Sequence, residues 1–156
     1  EIEIDGFQYP IGDLLFEVGG IRIGFEICED AWVENRFTGN YKDCEPSIVM
    51  NPSASHFAFQ KQKSRRSLVV DGSNAVNGAY IYANMSANEA GRIIYDGSSI
   101  IANQGRLVSE NKRFSFREVQ LDTAVVGLVP KAIPNNPLVL ASFVAKVATH
   151  PEEVYT

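Results

Sequence analysis

Apolar and polar positions alternate through the first part of the chain. Ile21, Ile23, Phe25 and Ile27 fall on one side of an extended segment, and Arg22, Gly24, Glu26 and Cys28 on the other. This predicts a strand over 21–28. Residues 12–18 read as the strand before it, joined by Gly19-Gly20, a turn able to take positive φ. The result is a hairpin whose second strand ends at a cysteine. Residues 1–5 alternate like a strand too. Residues 34–45 are polar and irregular. Residues 47–50 form a short apolar strand, buried on both sides by its composition, that ends in Asn51-Pro52-Ser53-Ala54-Ser55. The period then lengthens. Leu68, Val69, Ala75 and Val76 fit a helical repeat, which predicts a helix over about 59–74 with Gly78 as its stop. Residues 79–84 read as a strand. Residues 98–102 and 106–109 form a hairpin around Asn103-Gln104-Gly105, and 115–122 a half-exposed strand. From Val129 the chain holds Pro130, Pro134 and Pro137 and then an apolar stretch, a linker followed by a docking helix or extended arm. This order of elements predicts an α/β protein with a mixed sheet.

Composition narrows the function classes. The chain has 156 residues, 45% apolar and 21% charged, within the range of one soluble domain. A net charge of −5 argues against a general binder of phosphate backbones. No apolar run reaches the roughly 18 residues of a membrane span. Two cysteines, Cys28 and Cys44, are too few for a disulfide scaffold, and His56 and His150 lack the cysteine spacing of a structural zinc site. A reducing cytoplasm is the default compartment. The first residue is not Met and the pattern begins in mid-strand, so the chain reads as a piece of a longer fold.

Cys28 is the main candidate for chemistry. A thiol at the end of a strand, just before a turn, has a fixed position, and the turn's N–H groups can receive negative charge. The alternative is a small buried core residue. Glu26, Glu29 and Asp30 weigh against that alternative, because an apolar core seldom holds three carboxylates. His56 could pair with the thiol, although a surface placement is favoured. Cys44 stands in a polar stretch with no chemical role indicated, and a Cys28–Cys44 bridge is disfavoured.

The string Gly24-Phe25-Glu26-Ile27-Cys28-Glu29-Asp30-Ala31-Trp32 resembles the nucleophile segment of the nitrilase (carbon–nitrogen hydrolase) superfamily. More narrowly, it resembles the glutaminase domain of glutamine-dependent NAD synthetases. Asn51-Pro52-Ser53-Ala54-Ser55, Tyr82-Ala83-Asn84, Tyr95-Asp96-Gly97-Ser98-Ser99 and Gly105-Arg106-Leu107 follow in the family's order, so the resemblance covers residues 1–127. It implies part of an α-β-β-α sandwich and a Glu–Lys–Cys triad that hydrolyses glutamine through a thioester. It also implies Cys28 as nucleophile and the Glu29 N–H as an oxyanion donor. Ser55 and Lys61 match the family's glutamine-contacting positions. Without the match, Ser55 reads as a cap or turn residue, and Lys61, Lys63, Arg65 and Arg66 as a solvated helix face. Trp32 reads equally as a pocket wall or as packing.

The sequence departs from the family pattern before Cys28. The triad glutamate and lysine belong upstream, and residues 1–27 contain no lysine; Glu26 is not a positional match. Residues 1–127 therefore read as the second half of a glutaminase domain, and 128–156 as an arm toward an absent synthetase domain. The expected partners are glutamine, the rest of the parent chain and a second copy of it, with no nucleic acid and no membrane. ATP and magnesium are expected only for the synthetase domain, and no metal is expected here. The alternatives are a non-catalytic nitrilase-like packing fragment and an amidase acting on another substrate. A sandwich without its first half would expose sheet faces and edges that invite association.

Overall fold

A computed structural model describes residues 1–12, 14–34, 36, 38, 46–129 and 140–141. Among these described residues are eleven strands, a 3₁₀ turn and one long helix. β1 (Ile2–Ile4) and β2 (Phe7–Tyr9) form a small antiparallel hairpin, of which only the first strand is legible in the sequence. Asp5 and Gly6 turn it with φ of 50° and 80°, the two positive values that suit the twist of a tight hairpin. β3 (Leu15–Val18) and β4 (Ile21–Phe25) form the predicted hairpin, with Gly19 and Gly20 at φ of 59° and 78°. Both strands are shorter than predicted, and β4 stops three residues before Cys28.

The main sheet has seven strands in the order β10-β9-β6-β5-β4-β3-β11. Its centre is parallel. β5 (Ile48–Ser53) lies between β4 and β6 (Ala79–Asn84) and pairs in parallel with both. β5 runs further than predicted, through Asn51 and Pro52. Pairing with β4 ends at Met50, so Pro52 has a ladder partner only in β6, at Ala83. β9 (Ser99–Asn103) and β10 (Arg106–Glu110) extend the sheet as the predicted hairpin, turned by Gln104 and Gly105. β11 (Leu140–Ala141) pairs in parallel with β3. A further hairpin, β7 (Ser86–Glu89) with β8 (Ile93–Asp96), stands apart from the main sheet. It was missed because its polar residues carry no apolar alternation. Residues 115–122, predicted as a strand, belong to no strand. They make single contacts, such as the Gln120 side chain donating to the Lys112 carbonyl, and no ladder. At its end Asp122 accepts from Ser99 Oγ at 2.5 Å, and further on the Gly127 carbonyl accepts from Asn103 Nδ2 at 3.1 Å, so 122–127 lies along β9. Cys44 and all of 130–156 except β11 lie outside the described residues.

Helix α1 (Lys61–Ala75) is the crossover from β5 to β6. Its inward stripe is Arg65, Leu68, Val69, Gly72, Ser73 and Val76, while Ala75 is exposed. Leu68, Val69 and Val76 pack on Val49, Tyr80, Tyr82, Ile100 and Ala102, and each buried aliphatic side chain contributes about 1.5–3 kcal/mol. The opposite sheet face is less covered: Val18, Phe25 and Ile27 are exposed, and Ile21 and Ile23 are half-buried. The alternation on β4 is therefore as predicted, but Arg22, Gly24 and Glu26 are the inward residues.

The helix stop differs in mechanism from the prediction. Asn77, at φ 45°, takes the left-handed position, with its N–H on the Asn74 carbonyl and the Gly78 N–H on the Ser73 carbonyl. Gly78 is needed for closeness instead: a Cβ there would lie 2.6 Å from the Ser47 carbonyl oxygen. Gly78→Ala is expected to cost about 1–3 kcal/mol, read as a lowered urea midpoint.

Candidate functional site

The site begins where β4 runs out. Cys28 opens a 3₁₀ turn, Cys28–Trp32, with φ at 51°. For a residue with a side chain this left-handed position is strained, at a cost on the order of 1–3 kcal/mol. The turn closes on itself: the Asp30 N–H donates to the Ile27 carbonyl, and the Ile27 N–H to Asp30 Oδ2, both at 3.1 Å. That first carbonyl bond leaves the Cys28 and Glu29 amides ahead of the ladder, where a turn's N–H groups lack internal partners. Cys28 carries a free, partly exposed thiol. Glu29 and Asp30 are exposed, and Ala31 anchors the turn in the core.

Glu26 is fully buried beneath this turn. Its carboxylate accepts from Tyr80 Oη at 2.5 Å, from the Thr38 N–H at 2.6 Å and from Arg36 Nη2 at 3.1 Å. Behind Tyr80 the relay continues. Ser53 Oγ donates to Asn51 Oδ1, and Asn51 Nδ2 donates to Tyr80 Oη. Burial, followed by the charge and hydrogen bond of Glu26, pushes the Tyr80 phenol well above its ordinary pKa. The carboxylate of Glu26 is thus fully engaged by donors within the fold.

Lys61, at the start of α1, reaches back toward the turn. Its Nζ lies 6.0 Å from the centre of the Trp32 ring, which is 41% exposed. Burial and the Arg65 charge lower the Lys61 pKa, while Cys28 and Asp96 act to raise it. Cys28 and Lys61 are therefore within electrostatic reach of each other. The Tyr95 hydroxyl donates to Glu89 at 2.9 Å, and that bond raises the Tyr95 pKa.

Ser55 is clamped just past β5. Its N–H donates to Asn84 Oδ1 at 2.8 Å, and its carbonyl accepts from Asn84 Nδ2 at 2.9 Å and from Arg65 Nη2 at 2.8 Å. Arg65 is wholly buried and pairs with buried Asp96 at 2.6 Å. Arg113 approaches Asp96 at 3.2 Å and Asn84 donates to its other oxygen. Burial alone would raise the Asp96 pKa, but the hydrogen bonds from Asn84 and Arg65, the Arg65 charge and Arg113 outweigh it and hold the carboxyl below the usual aspartate range. His56 is exposed and joins this network through its carbonyl, which accepts from Arg65. Lys63 is exposed, as expected, whereas Arg66 holds Glu110 at 2.6 Å. No group of three or more His, Cys, Asp or Glu that could hold a metal occurs among the described residues. Nor is any helix among them long and apolar enough to cross a membrane.

Residues 6–131 match the family model described as carbon-nitrogen hydrolase. The chain belongs to the carbon-nitrogen hydrolase family. Relatives of this carbon-nitrogen hydrolase chain include the glutamine-dependent NAD(+) synthetases of Macaca fascicularis and Saccharomyces cerevisiae. Each is 30% identical over 119 residues, which are 76% of this chain and 17% of the relative. A solved structure of a glutamine-dependent NAD(+) synthetase from Cytophaga hutchinsonii is similar with a TM-score of 0.65 and 44% identity. That match covers 74% of this chain and 18% of the solved one. The chain thus spans about 17% of the length of the curated relatives it matches.

The structure brings Cys28, Trp32 and Lys61 together, and places Ser55 beside the start of α1. Sequence reasoning missed Arg65, which it grouped with a solvated face. The signal was present: Arg65 stands one turn before Leu68 and Val69 on the inward stripe, where a charge needs a buried partner.

The depressed Asp96 pKa sets a pH dependence. Its contribution to stability is complete above the unfolded-state pKa of about 3.9 and is lost as pH falls through the lower folded-state value. Asp96→Asn is expected to lower stability at pH 7 and to flatten this acid slope, measured by denaturant titrations across pH 2–6, a range set to span about two units either side of the ordinary aspartate value.

Proposed function

We propose that Cys28 is the nucleophile of a glutamine amidohydrolase that supplies ammonia for NAD synthesis within a longer parent protein. One observation carries the reading. The only described cysteine sits at a strained φ of 51°, at the start of a 3₁₀ turn that also holds Trp32, over whose ring Lys61 lies. Cys28 shares a positive φ with Asp5, Gln60, Asn77, Ala90, Gln104 and Phe114, and among these it is the one that carries a nucleophile. The similarity to glutamine-dependent NAD(+) synthetases supports glutamine as the substrate class.

In this reading the Cys28 thiolate attacks the side-chain amide carbon of glutamine, and the carbonyl oxygen takes the negative charge. The Glu29 N–H receives that oxyanion. The C–N bond breaks with proton transfer to nitrogen, ammonia leaves, and a thioester remains on Sγ. Water then attacks the thioester and releases glutamate. Ser55 and Lys61 bind the amino-acid end of glutamine, a hydroxyl donor and a cation for its carboxylate, and Trp32 walls the pocket. This chemistry also needs a base and a second cation; residues 1–27 contain no lysine, and Glu26 is held by Tyr80, Thr38 and Arg36. The base and second cation belong to the preceding half of the sandwich, whose sheet would also cover the apolar face of Ile21, Ile23 and Phe25. In this reading residues 1–156 do not hydrolyse glutamine without that half, and the exposed sheet face is covered by it or by a second copy. Residues 1–127 form the second half of the glutaminase domain, and 128–156 lead toward the synthetase domain. ATP and magnesium serve that other domain, and no step here passes through them. A reactive thiol of this kind suits the reducing cytoplasm.

In the parent protein, Cys28→Ser is expected to abolish glutamine-dependent NAD formation and leave ammonia-dependent formation intact. Loss of both would count against the assignment. Ser55→Ala and Lys61→Ala should mainly raise the glutamine KM, on the order of tenfold, because they remove binding common to ground and transition states. A fall in kcat at constant KM would show that they are misplaced. A glutamine-like electrophile should label Cys28, read by peptide mass spectrometry.

A further inference from the structure

Arg65 and Asp96 are both 0% exposed, so neither can touch a substrate. Their pairing nevertheless points at one. Arg65 divides its guanidinium between two tasks. Nη1 donates to Asp96 Oδ2 at 2.6 Å. Nη2 donates to the Ser55 carbonyl at 2.8 Å, to the His56 carbonyl at 3.2 Å and to Ser55 Oγ at 3.3 Å. A buried ion pair is a weak source of stability, since desolvation cancels most of the attraction. What this pair does supply is geometry. Together with Asn84, which holds both the Ser55 N–H and its carbonyl, it ties every backbone polar atom of Ser55 to a side chain.

The contact with Oγ adds direction. A serine hydroxyl has one proton to give and two lone pairs to receive with, and a guanidinium only donates. Arg65 therefore occupies a lone pair of Oγ, and the hydroxyl's own proton turns away from it. A hydroxyl held this way is a donor; Ser55 is only 6% exposed, and its proton can turn to the buried Tyr82 phenol beside it or to an anionic oxygen such as a carboxylate brought by a ligand.

We propose that Arg65 is a positioning residue that, braced by Asp96, holds the Ser55 hydroxyl as a hydrogen-bond donor toward the substrate's carboxylate. The proposal rests on the glutamine reading of the site and deepens it. Lysine cannot replace this arginine, because a single ammonium cannot span Asp96 and two carbonyls in one planar fork.

The test is a double-mutant cycle in the full-length parent protein with Arg65→Lys, Ser55→Ala and the pair. Arg65→Lys is expected to raise the glutamine KM about tenfold with kcat within about threefold, and to add less than about twofold once Ser55 is alanine. Ammonia-dependent synthesis should be unchanged throughout. KM effects that multiply fully, an effect on kcat alone, or an equal loss of ammonia-dependent synthesis would each overturn the role. Should Arg65→Lys not accumulate folded, Arg65→Met with Asp96→Asn removes both charges and enters the same cycle. Hydrogen exchange of the 53–57 backbone reads the positioning without turnover. Faster exchange in Arg65→Lys supports it, and unchanged exchange overturns it whatever the substrate is. Electrophile labelling of wild type away from Cys28 would instead sink the glutamine reading, leaving exchange to decide whether Arg65 holds Ser55.

Discussion

A carboxylate without water must be met by donors, and Glu26 is such a carboxylate. It lies two residues before the cysteine and is fully buried, so its oxygens take a phenol from β6, a backbone N–H at Thr38 and a guanidinium at Arg36. These donors come from separate parts of the chain and converge only if β4 ends where it does. That constraint turns the side chain of residue 26 inward and ends regular pairing. It leaves Cys28 to open the next turn in a left-handed conformation. The Ser53–Asn51–Tyr80 relay brings the end of β5 into the same arrangement, and a fully satisfied network of this kind is rigid.

A second buried network lies beyond the end of β5. Asp96 gathers Arg65, Arg113 and Asn84, and through them fixes Ser55 and His56. The two networks divide the work. One sets the strand end that presents the thiol, and the other sets the loop that leads into α1. Cys28, Trp32 and Lys61, the residues the proposed reading assigns to the substrate, are partly or largely exposed. The membership in the carbon-nitrogen hydrolase family accords with this sheet architecture.

Much of this was legible locally. Gly19-Gly20 and Gly105 mark turns because positive φ is cheap for glycine, and both turns form. Leu68, Val69 and Val76 mark the buried face of α1. The β7–β8 hairpin was illegible, because Ser86 to Glu89 offers no apolar alternation. Arg65 was misjudged for a related reason: a charge on a helix looks solvated until its partner, 31 residues on, is known.

The amino-acid order alone determined the alternation on β4, the helical period of α1 and the motif around Cys28, because each depends on neighbours within a few residues. It did not determine which face of β4 turns inward. Hydrophobicity favours the isoleucine face, whereas the observed interior holds Arg22, Gly24 and Glu26. That choice belongs to Tyr80, 54 residues away from Glu26 in sequence, and to Arg36 and Thr38. A buried charge is tolerated only where its partners are assembled around it, and assembling them is the work of tertiary structure.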